Sequence, residues 1–190
     1  MDHKVRQKVS EDQELAYDEE MEYAIDVLQE LGRQYSSGEI DKDTFISRMR
    51  EEIESHYIEL ALIGLGLTTL NELQMEDLNV FINATLSLLD GFSDALDEEE
   101  FSEAYLTWRS GIYAHARHVF VRYTLPDDIF FYLPEFPGIS CLGDGACGCH
   151  LEWEETDEGV AVYWIINPAK ESCAVCIDLS ISWQPYIVEF

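Results

Sequence analysis

The sequence is poor in basic residues, with 11 lysines and arginines against 39 aspartates and glutamates in 190 residues. The formal net charge of −28 at pH 7 gives a surface that repels a phosphate backbone, which argues against direct nucleic-acid binding. Such a surface favours cations, basic partner proteins or a high-salt environment, and the low lysine content is compatible with a high-salt host. A requirement for high solubility would explain the same charge, so the composition does not decide between these interpretations.

Long apolar runs are also lacking. The longest, LALIGLGLTTL at 60–70, is too short to span a bilayer, so no membrane partner is expected. The opening residues MDHKVRQKVSEDQEL contain no apolar stretch of the kind a secretory signal needs, which predicts a protein retained in a cytosol. In that reducing setting clustered cysteines favour metal binding over disulfides, and five cysteines leave one unpaired in any intrachain disulfide scheme.

Helical periodicity dominates the first 125 residues. Ser10 and Gln13 form a capping-box pattern, and the segment YSSGEID at 35–41 ends the first helix. A second helix is predicted from about Asp43 to the glycines at 64 and 66. A third helix is predicted to end near Asp97, where a second capping-box pattern begins a fourth helix. Each helix carries one apolar stripe, so we expect a bundle of about four helices over 1–125.

The character changes after Pro126. The segment LPDDIFFYLPEFPG at 125–138 holds three prolines and predicts an extended connector. Two alternating segments, CHLEWEE and VAVYWIIN, joined by TDEG, predict a β-hairpin. The segment CIDLSISW fits either a helix or a strand. The predicted class is therefore α+β and mainly α, with a helical bundle at 1–125 and a small zinc-ribbon-like β-hairpin region at 126–190.

The cysteines lie at the two ends of this hairpin. CAVC at 173–176 is a C-x-x-C turn, which presents two thiolates to one ion, and the segment before the hairpin supplies further ligands for a tetrahedral structural zinc site. The metal candidates are Cys141, Cys147, Cys149, Cys173 and Cys176, with His150 as a sixth competitor. Four of these would bind zinc and stabilise a region too small for a generous core. Buried thiols without a metal are the alternative.

A catalytic alternative uses the same residues. His150, Glu152 and the C-x-x-C turn imitate the zinc deaminase signature, in which Glu152 would shuttle protons. Ser172 replaces the proline of that signature, and His150 lies on a predicted strand. We therefore predict a protein that is not an enzyme.

The segment RSGIYAHARHVFVR at 109–122 gathers three arginines and two histidines on the fourth helix. It is predicted to form salt bridges to the acid-rich helices, with an anion or partner contact as the alternative. His115 and His118 are spaced to share a metal ion, but the sequence indicates no third ligand for them.

The assembled pattern resembles the head-morphogenesis, or minor head (Mu F-like), proteins of tailed viruses. The resemblance covers most of the chain and is most specific in the last third, where a proline-rich connector precedes a cysteine cluster, a Y-W pair, C-x-x-C and W-x-P. The matching positions are Cys141, Cys147, Cys149, Trp153, Tyr163, Trp164, Cys173, Cys176, Trp183 and Pro185. This chain has two additional residues in the first cysteine spacing, and Ser172 stands where the group commonly has histidine.

The resemblance implies a virion or head-assembly component, present in the host cytoplasm during assembly, with capsid, portal or neck subunits as partners. A cellular zinc-ribbon-like adaptor that binds another protein is the alternative.

Overall fold

The computed structural model describes residues 7–96, 101–134, 149–166 and 173–189. It is mainly helical, with a small antiparallel sheet near the C-terminus. The long helices are α1 (Glu11–Ser36), α2 (Lys42–Leu65), α3 (Glu72–Ala95) and α4 (Phe101–Thr124). They are followed by a single turn, α5 (Asp127–Phe130), the strands β1 (His150–Glu155) and β2 (Val160–Ile165), the helix α6 (Ala174–Ser182) and the strand β3 (Tyr186–Val188).

Local signals set where the long helices begin and end. Ser10 caps α1 in a reciprocal capping box with Gln13, as the sequence predicted. The side chains of Asp41 and Asn71 accept the capping hydrogen bonds of α2 and α3. Gly66 ends α2 in the left-handed region at φ 63°, where a glycine carries no Cβ penalty. The predicted cap of α4 at 97–100 lies outside the described residues.

The four long helices pack as a bundle in which α2 and α4 form the centre. The helix α1 packs mainly on α2, and α3 packs on both α2 and α4. The core contains most of the predicted stripes, and Phe45, Met49, Tyr57, Leu60 and Leu89 are completely buried. The expected four-helix bundle is thus present, and the partly buried side chains of Ile25 and Phe81 pack against its core.

The sheet has the order β1-β2-β3, and both pairings are antiparallel. The predicted hairpin is confirmed, with Thr156–Gly159 as its turn. The third strand was not predicted. Its residues Tyr186–Val188 pair with the first half of β2. Gln7, just before α1, forms a bridge with Trp153 at the outer edge of β1.

Two segments differ from the sequence prediction. The segment after Pro126 is not extended at its start, because Asp127–Phe130 forms a helical turn that buries Ile129 against the bundle. Its later residues, 135–138, lie outside the described residues. The segment left open between helix and strand is the helix α6, which packs on β2. A zinc ribbon is not shown by this arrangement of elements.

Candidate metal centre and the buried arginine beside it

The C-x-x-C turn lies at the start of α6. Cys173 takes the N-cap position and Cys176 lies in the first turn, buried to 1% exposure. The first N–H groups of a helix and its dipole stabilise negative charge, so this position favours the thiolate form that binds metal ions. Both cysteines therefore lie at the helix terminus that favours negative charge.

Aromatic packing fixes α6 on the sheet. The rings of Trp164 on β2 and Trp183 at the end of α6 meet edge to face, with centroids 5.4 Å apart. Trp183 also stacks on Tyr186 of β3, with centroids 4.9 Å apart. Such pairs add to the stability gained by burying the rings. The C-x-x-C turn is thus held against the sheet from the far end of α6.

Cys149 belongs to the core side of β1. It lies just before the strand and has the same parity as Leu151 and Trp153, and all three side chains are buried. Alternate residues of a strand share one face, so the thiol of Cys149 points in the same direction as these core side chains. The intervening residue His150 lies on the opposite face, with its Nε2 3.7 Å from an Oε1 atom of Glu152.

The described cysteines are not gathered into a metal shell. Among the residues that the structure describes, no three histidine, cysteine, aspartate or glutamate side chains form a group that could hold a metal ion. Cys149, Cys173 and Cys176 therefore do not form a three-ligand group by themselves, and neither do Cys173 and Cys176 with His150. Cys141 and Cys147 lie outside the described residues, so the predicted five-cysteine set stays a prediction.

The residue that connects this region to the bundle is Arg117 of α4, whose side chain is completely buried. Its Nε and Nη2 atoms donate to the carbonyl oxygen of Cys149 at 2.9 and 2.7 Å. Its Nη1 and Nη2 atoms donate to the carboxylate of Glu14 on α1 at 3.2 and 3.1 Å. The guanidinium carbon lies 4.6 Å from the centre of the Tyr17 ring, a cation–π distance.

The prediction that the arginines of the fourth helix pair with acidic residues is confirmed for Arg117 and Arg122. Arg122 is also buried, and its Nη2 atom lies 3.1 Å from Asp77 and 2.7 Å from Asp127. Nothing in the local sequence indicated that Arg117 binds the backbone at Cys149, because the two residues are 32 positions apart. The only available signal was an arginine within an otherwise apolar helical stripe.

The two histidines of the fourth helix make contacts within the helical part of the molecule. The Nδ1 atom of His115 lies 2.9 Å from the hydroxyl of Thr85, which in turn lies 3.0 Å from the hydroxyl of Tyr57. His118 is packed against the rings of Phe81 and Phe130. Burial, helped by the charges of His115 and Arg122, lowers the pKa of His118 from 6.5 to about 4.

Over the described part of the chain, no helix combines the length and apolar character needed to cross a membrane. Comparisons with protein-family models, with curated proteins and with solved structures give no significant match to this chain.

Proposed function

We propose that this protein is a structural, non-catalytic component of a tailed virus, located in the virion or acting in head assembly. The supporting features are the helical bundle, the order of the C-terminal motifs and the strongly negative charge. The bundle would pack against capsid, portal or neck subunits. The negative charge would keep the protein away from packaged DNA and favour basic protein surfaces.

The C-terminal region is proposed to be a docking module stabilised by structural zinc. The observation that carries this proposal is the position of the cysteines at both ends of the hairpin, with Cys173 and Cys176 at the start of α6. Cys141 and Cys147 would supply the other two thiolates of a tetrahedral site. Cys149 would be the fifth cysteine, because its parity directs it into the core with Leu151.

A structural zinc site fits the size of the region. The sheet has three strands, and β3 contains only three residues. The elements of this region are short, and a metal ion would add stability to the contacts that they make with the common core. Zinc-ribbon-like behaviour here means a rigid surface for another protein, with no open coordination position for a substrate.

A cellular adaptor protein with the same zinc module is the second candidate, since the spacing of the cysteines in the sequence would serve both. The positions of the described residues favour the deaminase-like hypothesis less. It requires His150, Cys173 and Cys176 around one ion, and these three described residues do not form such a group. His150 also lies within β1, facing Glu152.

Particle association tests the structural proposal. The chain would be tagged, expressed in the infected host, and followed through density-gradient purification of assembled heads and virions. Co-sedimentation at a fixed number of copies per particle is expected, and cross-linking should connect the chain to a head or neck subunit. A chain that remains entirely in the soluble host fraction through assembly would contradict the proposal. Genes for portal and major capsid proteins beside its own would favour it over a cellular adaptor.

A further inference from the structure

A cavity of about 60 Å³ lies between α1 and α2. Its volume is sufficient for more than one water-sized group. Ala24, Leu28, Ile53 and Ile112 form an apolar floor, and all four are buried. The remaining lining residues are polar or amphipathic: Glu20, Tyr23, Glu52, Ser55, His56 and Glu59.

His56 places a buried imidazole ring in the wall of this cavity. The residue is 6% exposed, and its Nδ1 atom lies 2.7 Å from an Oε1 atom of Glu20. A carboxylate accepts, so Nδ1 donates to Glu20, and Nε2 of a ring that carries a single proton is an acceptor. Within the described part of the chain, Nε2 is buried and has no hydrogen-bond partner. A buried polar atom of this kind costs stability unless a donor reaches it.

The charge around the cavity is all of one sign. Glu20, Glu52 and Glu59 line it, and the lining residues include no lysine or arginine. The cavity therefore combines an acceptor at His56, three carboxylates and an apolar floor. An anion would be repelled by this arrangement. A metal ion is also a poor fit, because no three potential ligands are grouped for one among the described residues.

We propose that the cavity binds a primary ammonium group carried on an aliphatic chain. The ammonium has N–H donors for the Nε2 atom of His56 and for a carboxylate of the wall. The methylene groups next to the ammonium would cover the apolar floor, as lysine stems do on protein surfaces. The source is a free alkylamine or a lysine side chain of a partner protein, and both present the same chemistry. This inference is independent of the proposed viral function.

Calorimetric titration with n-butylammonium chloride, and in parallel with Nα-acetyl-lysine N-methylamide, tests the proposal. Binding is expected with a Kd on the order of 1 mM, as suits a ligand with few atoms. Two comparison ligands separate the contributions. Tetramethylammonium carries the charge without N–H donors, and n-butanol carries the chain without charge, so each should bind at least roughly tenfold more weakly. Binding of the lysine derivative alone would assign the cavity to a lysine side chain, whereas binding of both would assign it to the ammonium group itself.

Matched variants locate the site. Glu52→Gln should weaken binding roughly tenfold, while Glu51→Gln, one residue away and outside the cavity lining, should leave it unchanged. The ligand should shift the His56 ring signals in the NMR spectrum of the native chain, and His56→Gln should weaken binding further. If His56→Gln does not fold, the Glu52 and Glu51 pair still decides the result. The proposal would be overturned if n-butylammonium did not bind at a concentration about 100 times the expected Kd of about 1 mM. It would also be overturned if tetramethylammonium bound equally well, or if both glutamate variants lost the same affinity.

Discussion

The helical bundle and the sheet region of this molecule are stabilised in different ways. Each long helix begins at a recognisable signal or carries a regular apolar stripe, and the stripes meet in one core that includes Phe45, Met49 and Leu60. The sheet region has short elements and a few large aromatic contacts, such as Trp164 with Trp183. The sheet region is held in place by hydrogen bonds to residues that are distant from it in the sequence, such as Arg117 and Gln7.

This difference shows how a small region can be ordered by a larger one. The buried guanidinium of Arg117 binds Glu14 of the bundle and the backbone at Cys149, at the start of β1. Gln7, next to α1, adds two backbone hydrogen bonds to Trp153 at 2.7 and 3.0 Å. The buried side chains of both regions belong to one contiguous cluster. We therefore expect the sheet region to be the less stable of the two when this connection is removed.

Arg117→Met should have the largest effect on stability. The substitution leaves the carboxylate of Glu14 and the carbonyl of Cys149 without their buried donor, a loss of about 3–5 kcal/mol. Urea unfolding would be followed by circular dichroism for the helices and by tryptophan fluorescence, to which Trp153, Trp164 and Trp183 of the sheet region contribute. The tryptophan transition should move to lower urea than the helical transition.

Arg33→Met is the matched control, because Arg33 pairs with Glu30 and Glu39 at 2.7 Å but is 53% exposed. Solvent screens such exposed pairs, so their loss should hardly change the stability. Equal losses in the two arginine variants would show that Arg117 is not the connection between the regions.

His118 should make the bundle sensitive to acid. Its pKa is about 4 in the folded protein and 6.5 without the protein environment, so the unfolded chain binds more protons between these values. The free energy of unfolding should therefore fall as the pH falls from about 6.5 to about 4, by roughly 3 kcal/mol from this residue. His118→Phe removes the titration and should flatten that part of the pH profile relative to the native chain. Parallel profiles for the two proteins would contradict the assignment.

Replacing either of two glycines of the bundle by alanine should change the stability in opposite directions. A Cβ at Gly64 of α2 would lie 3.0 Å from the carbonyl oxygen of Phe120 and from the Cβ of Tyr123 on α4, so Gly64→Ala should cost about 1–3 kcal/mol. A Cβ at Gly91 of α3 would meet no atom within 4 Å. Gly91→Ala should therefore stabilise the protein by about 0.5–1 kcal/mol through helix propensity. Thermal melting of both variants checks the pair, and a loss in each would contradict this account of the α2–α4 contact.

The bundle could largely be predicted because its determinants are local. The capping box at Ser10 and the apolar stripe through Met21, Leu28 and Leu31 are visible within a few turns of chain. Helix boundaries were predicted to within a few residues, as for α2, which begins at Lys42 after the Asp41 cap. Both are properties of near neighbours, which sequence periodicity reports directly.

The sheet region was only partly predictable. The hairpin follows from alternation and its turn, but α6 did not show a helical stripe, since Ile177 and Ile181 are exposed. The strand β3 is three residues long, too short for a pattern, and becomes a strand only by pairing with β2. In both cases the deciding contacts are tertiary.

The candidate site was predicted from residue types but not from their positions in space. The sequence named five cysteines and left open which of them bind. The parity of Cys149 with Leu151, which selects it as a core residue, depends on the observed start of β1. The contacts of Arg117 with Cys149 and of His56 with Glu20 join distant segments, so no local pattern reports them.

The most direct test of the account is the metal content of protein purified without added metal, measured by mass spectrometry in three forms. The native chain should carry one zinc ion, Cys149→Ala should retain it, and Cys173→Ser should lose it together with the order of the sheet region. A native chain that folds without metal would contradict the zinc site. Loss of zinc in Cys149→Ala would contradict the assignment of Cys149 to the core.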